Sequence, residues 1–126
     1  MKEILLVFCG GGVGSVARYL VNHNITRLLG WKFPFGVMFI NITGSFLMGL
    51  VAGYFLGRTD ALSQDMRLLL ATGILGGYTT FSAYSLDAAN LMQRGEVGLA
   101  GTYIAGSVVL SISGLFCGLW AMRALT

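Results

Sequence analysis

The sequence predicts an all-α membrane protein: four transmembrane helices with a broken third helix, assembled as an antiparallel dual-topology homodimer. Three observations predict it. Of 126 residues, 56% are hydrophobic and only 10% are charged, against roughly 25% charged in a soluble domain, so too little polarity is present to face water. The apolar residues fall into long runs separated by short polar connections, and a helical span takes ~20 apolar residues, so the chain holds about four spans. The positive charges divide evenly between the two faces that such a bundle presents.

The spans are expected at 4–21, 33–56, 66–92 and 97–122, forming a single transmembrane domain over 1–126. The first is interrupted only by glycines and Arg18. Met1-Lys2-Glu3 ahead of an apolar run resembles a secretory leader, but no small-residue cleavage site leads into a soluble domain, so it reads as a span. Gly10-Gly11-Gly12-Val13-Gly14 mimics a dinucleotide loop. That motif needs a βαβ unit and an acidic residue about 20 positions on, where this chain has Trp31, Lys32 and Phe33. The glycines therefore read as helix-packing residues. The second span is long enough to cross with tilt. The third carries Gly76-Gly77-Tyr78-Thr79-Thr80-Phe81-Ser82 near its middle. Paired glycines followed by two β-branched threonines form a poor helix. A break at that depth is tolerated where it is buried in protein or lines a polar cavity, and its freed carbonyls suit a hard cation such as sodium. The other reading is a continuous helix whose glycines pack against a neighbour. Trp31 and Trp120 fall where interfacial anchors are expected. Cys9 and Cys117 lie inside apolar runs and read as small packing residues.

With both termini on one face, that face carries Lys2, Arg58, Arg67 and Arg123, and the opposite face Arg18, Arg27, Lys32 and Arg94. Positive charge sets orientation, and an even division leaves neither orientation preferred. Both are then expected, with opposed copies pairing in the bilayer. Ser45, Gly49, Gly53 and Gly57 form one small-residue stripe, and Gly98, Thr102, Gly106, Gly114 and Gly118 another; such stripes let helices approach closely in lipid.

Several function classes are excluded. The net charge of +3 comes from basic residues scattered between spans, which form no nucleic-acid patch. The first, second and fourth spans have no carboxylate in their middles, and His23 sits at a helix end, so a proton-driven pump lacks its titrating group. No hydrolytic triad or metal cluster lies within the spans, so an enzyme is not expected. What remains suits a small ion. Tyr103, Ser107 and Ser111 are spaced by four and share a helix face. They either replace water around a moving ion or bond their own backbone at i−4. Asn41 adds an amide donor, which also serves as helix–helix glue. Phe81 and Tyr84, with Ser82 and Ser85 beside them, are either packing residues or rings whose positive edges face an anion. Arg18 favours anions at a pathway mouth, and Asp87 is expected to pair with a cation or a hydroxyl.

Three motifs, GGGVGSVARY (10–19), FPFGVMFINITGSF (33–46) and GGYTTFSAYS (76–85), resemble those of the small microbial fluoride channels, often called Fluc. The last is the most specific, and the resemblance covers the whole chain. It implies a four-span subunit with a broken third helix, paired antiparallel in the cell membrane, that exports fluoride passively through two pores. It further implies that Gly76 and Thr79 give carbonyls to a central structural sodium ion shared by two copies. Phe81 and Tyr84 would be the pore rings and Asn41 the pore amide, with Ser82 alongside. Tyr103, Ser107 and Ser111 would form the polar track, and Arg18 and Asp87 the supporting charges. Two positions depart from the family pattern: Tyr84 stands where Phe is usual, and Val37 where Thr is common. Two other readings are a small dual-topology multidrug exporter and a non-transporting membrane scaffold. The exporter wants a first-span glutamate, which 4–21 lacks, and the scaffold leaves the hydroxyls unexplained.

Overall fold

The computed structural model describes all 126 residues and contains helices only. α1 (Lys2–Leu29), α2 (Phe35–Tyr54), α3 (Ala61–Arg67), a π-helical stretch Leu68–Leu75, the single turn α4 (Gly76–Tyr78), α5 (Phe81–Gln93) and α6 (Val97–Leu125) follow in order. α1, α2 and α6 are each long and apolar enough to cross a membrane. At ~1.5 Å per residue, even the 20 residues of α2 match a hydrocarbon core of ~30 Å.

Helix ends differ from expectation for local reasons. α1 runs through Asn22-His23-Asn24, expected as a connection, and stops only at Gly30, whose φ of 89° is left-handed. Polar residues do not end a helix by themselves; here the Asn24 amide donates to the Leu20 carbonyl at 2.8 Å. Gly57, expected in a packing stripe, has φ 79° and open space around it, and it turns the chain after α2. α3 begins ahead of the expected third span because Asp60 caps it. Its carboxylate accepts from the Ser63 amide (3.0 Å) and the Ser63 hydroxyl (2.8 Å), which holds it below the usual carboxylate range.

Two helix pairs make the bundle: α2 packs along α6, and α1 packs along the π-helical stretch and α4. Glycine makes both approaches possible. A methyl at Gly49 would meet the backbone of Leu115–Leu119, and one at Gly118 the backbone of Phe46–Leu50. Gly14 lies against the Ile74 carbonyl and the Tyr78 amide, and Gly77 against Gly11. Gly98, by contrast, faces nothing. Gly14→Ala should therefore push α1 off the third segment and cost ~1–3 kcal/mol. Gly12→Ala, with open space at its Cβ, should stay within about 0.5 kcal/mol of the parent. Thermal unfolding of the two purified variants in detergent checks the pair.

Lys2 Nζ lies 2.9 Å from Asp65 at one end of the bundle. Beside them Arg67 Nη2 donates to the Phe55 and Arg58 carbonyls at 2.8 and 2.9 Å, closing the end of α2. At the other end Arg94 donates to the Lys32 carbonyl at 2.7 Å and lies over the Trp31 ring. The interior is small and lies toward this second end, where Val37, Tyr84, Ala88, Leu91, Ala100 and Tyr103 are buried together. Most large apolar side chains of α1 and α6 face outward, as a hydrocarbon solvent permits.

Candidate functional site

Between α4 and α5 the chain leaves the helix for two residues, Thr79 (φ −79°, ψ 158°) and Thr80 (φ −153°, ψ 123°). Asn41 on α2 reaches this turn. Its Nδ2 donates to the Thr80 carbonyl at 3.0 Å, and its Oδ1 accepts the Thr80 N–H at 2.9 Å. The Thr80 N–H can only donate, so the amide orientation follows from the network, and one Nδ2 proton stays uncommitted.

These bonds take donors away from two carbonyls. In a continuous helix the Thr80 N–H would serve Gly76, but it goes to Asn41. The Ala83 N–H would serve Thr79, but it goes to the Thr80 hydroxyl at 3.1 Å, the N-cap of α5. Gly76 is exposed on the surface of the chain. Two carbonyl oxygens without helical donors suit a hard cation that takes oxygen ligands. No cluster of three His, Cys, Asp or Glu residues offers an alternative metal site.

Beside the turn lies a groove of about 330 Å³, whose polar side chains are Asn41, Ser45, Thr79, Thr80, Ser107 and Ser111 and whose rings are Phe81 and Tyr84. Ser107 Oγ and Ser111 Oγ are buried and have no hydrogen-bond partner. The i−4 backbone bonds that membrane serines commonly make are absent at both. An unsatisfied buried hydroxyl costs ~1–3 kcal/mol, so each of these two groove-lining serines retains an unspent proton.

Tyr103 shares their helix face but not their state. It is fully buried outside the groove lining, and its hydroxyl donates to Asp87 Oδ2 at 3.2 Å. Asp87 thus has a hydroxyl partner and no cation. Tyr84 is buried, and its hydroxyl donates to the Ile104 carbonyl at 2.9 Å, so only its ring remains for a guest. Phe81, 77% exposed, stands 5.4 Å from the Tyr84 ring at 51°. Ser82 is exposed outside the lining, 3.3 Å from the Thr80 hydroxyl. Arg18 is half-buried on α1, makes no ion pair and lies away from the groove. Val37 packs in the buried cluster with Tyr84 and Tyr103.

Sequence reasoning missed Ser45 and Thr80 as groove residues. Ser45 carried a signal, since it sits four residues after Asn41 on the same helix face. Thr80 belonged to the expected break, but its bond to Asn41 had no signal, because that partner lies 39 residues away.

The family described as CrcB-like protein, Camphor Resistance (CrcB), matches residues 5–119. The chain belongs to this family. Relatives agree along the whole length. The "Fluoride-specific ion channel FluC" of Rhodopseudomonas palustris strain BisB5 is 57% identical over 122 residues, covering 97% of this chain and 98% of its own. The protein of that name from R. palustris strain CGA009 is 59% identical with the same coverage. One from Beijerinckia indica is 50% identical over 127 residues, with both chains fully covered. This CrcB-like chain, with three apolar helices able to span a bilayer, is a multi-pass membrane protein.

Proposed function

We propose that this chain is the subunit of a fluoride-selective channel that lets fluoride leave the cell passively across the cell membrane; it is not an enzyme. The observation that carries the reading is the pair of buried, unpartnered hydroxyls of Ser107 and Ser111 in a groove shared with Asn41 and the Phe81–Tyr84 rings. Fluoride is a compact, strongly hydrated acceptor, and a pore must replace its water with donors. The two hydroxyls and the free Asn41 proton supply them, and ring edges add weaker attraction. The names of the relatives support the choice of anion.

The chain crosses the bilayer four times, its third crossing built from α3, the π-helical stretch, α4 and α5, with Thr79–Thr80 at mid-depth. Two copies insert in opposite orientations and pair, each contributing a pore. Exposed Phe81 and Gly76 support pairing on this face. The Gly76 and Thr79 carbonyls hold a structural sodium ion shared by the copies. When bound, that ion supplies fixed positive charge that offsets the cost of drawing an anion into low dielectric. Asn41 keeps the Gly76 carbonyl free by holding the Thr80 N–H, and the Thr80 hydroxyl keeps that of Thr79 free by holding the Ala83 N–H.

Because the charges balance by face, appending three lysines to the C-terminus should drive insertion one way. Fluoride resistance should then fall to the vector-only level, and reporter fusions should show a single orientation. Resistance itself is read in a fluoride-sensitive bacterial host. The reading expects this chain to restore growth on fluoride; failure of a membrane-inserted protein to do so would count against it.

A further inference from the structure

α2 addresses the extended turn at more than Asn41. Gly44 presents no side chain where the Thr79 methyl and the Tyr78 ring lie, so the turn sits against the helix backbone. Thr43 Oγ1 stands 3.0 Å from the Tyr78 hydroxyl. Counting protons gives that bond a direction. Thr43 Oγ1 lies 2.7 Å from the Phe39 carbonyl and 3.2 Å from that of Ile40, contacts that only its own O–H can make. Its single proton is spent on its own helix, so toward Tyr78 it offers a lone pair. Tyr78 is the donor, and no other acceptor competes for its proton. Asn41, Thr43 and Gly44 of α2 thus meet Thr80, Tyr78 and Thr79 in turn.

We propose that the Tyr78–Thr43 hydrogen bond is a positioning tether, which with Asn41 fixes both flanks of the turn and so sets the direction of the Gly76 and Thr79 carbonyls. α4 is the last turn of the helix that begins at Ala61 and is packed through Gly77 against Gly11 of α1, and beyond it the extended residues allow rotation. Thr79 is held on the helical side by the Leu75 carbonyl, which accepts both its N–H and its hydroxyl at 3.0 Å. Neither bond crosses to α2. Without the tether α4 turns with the π-helical stretch while Thr80 stays with α2, and the carbonyls between them swing. The effect on flux rests on the channel reading above; the tether itself does not.

The test uses the full-length protein in lipid nanodiscs and liposomes, comparing Tyr78→Phe, Thr43→Val, their combination and Thr43→Ser. Tyr78→Phe and Thr43→Val should each raise amide hydrogen exchange over 76–81 at least tenfold and lower fluoride efflux at least fivefold. The combined variant should be no worse than the poorer single one, because both remove the same bond. Thr43→Ser keeps the hydroxyl and should restore exchange and efflux, which a role in packing through the threonine methyl would not. Unchanged exchange in Tyr78→Phe, effects that multiply in the combined variant, or failure of serine to rescue would each overturn the tether. Raised exchange with unaltered efflux would overturn its positioning role. A parent protein that passes no fluoride, while exchange follows the expected pattern, would fail the channel reading and retain the tether.

Discussion

Asn41→Asp should abolish fluoride efflux, lowering it at least a hundredfold while the protein stays assembled. The substitution is nearly isosteric, but Asn41 works through a donor and an acceptor at once. Its Nδ2 donates to the Thr80 carbonyl and its Oδ1 accepts the Thr80 N–H. An ionised carboxylate in its place would set an oxygen against the Thr80 carbonyl, about 3 Å between two acceptors, and put negative charge in the groove. A protonated carboxyl would spend its only O–H on Thr80 and leave nothing for the ion. Both states remove the free donor. A hundredfold loss corresponds to ~2.7 kcal/mol of barrier, within reach of one charge-assisted hydrogen bond replaced by repulsion. Efflux from liposomes, normalised to assembled protein on gel filtration, checks it. Near-normal efflux would remove Asn41 from the pathway.

Phe81→Ile should lower efflux by well over tenfold, a barrier increase above ~1.4 kcal/mol, with little change in the stability of the protomer. At 77% exposure Phe81 contributes little to the interior, so its loss leaves no cavity within the chain. Isoleucine keeps the hydrophobicity and removes the positive ring edge. Tyr84, 5.4 Å away, is fixed by its hydroxyl on the Ile104 carbonyl, so it cannot move to replace the lost ring without breaking that bond. Parallel measurements of efflux and melting temperature separate the two explanations. A fully conducting variant would refute the ring-edge role, and a large loss of stability would point to packing.

Much of this architecture was legible from composition and spacing. The apolar runs gave the helices because lipid rewards long unbroken apolar segments. The glycines of 10–14 gave a packing face because only small residues allow backbones to touch, and Gly10 and Gly14 do meet the third segment. Helix ends were less legible. Asn22-His23-Asn24 has the polarity of a connection, yet the helix continues through it until Gly30 turns the chain. The π-helical stretch Leu68–Leu75 had no signal, since LLLATGIL is equally compatible with an α-helix. Register along α6 placed Tyr103, Ser107 and Ser111 on one face, but spacing cannot say where a proton goes. Asp87, on another helix, takes that of Tyr103 and leaves the serines alone unpartnered. The Thr43–Tyr78 bond was invisible for the same reason, as its partners lie 35 residues apart.

The most direct test of fluoride conduction through this groove is efflux from liposomes containing only this purified chain. Fluoride and chloride are followed in parallel, for the parent and for Ser107→Ala/Ser111→Ala. The account predicts fluoride release without an imposed proton gradient, no chloride release above protein-free liposomes, and at least a tenfold loss of fluoride release in the double variant. Chloride passing as readily as fluoride, or undiminished fluoride release once both hydroxyls are gone, would contradict it.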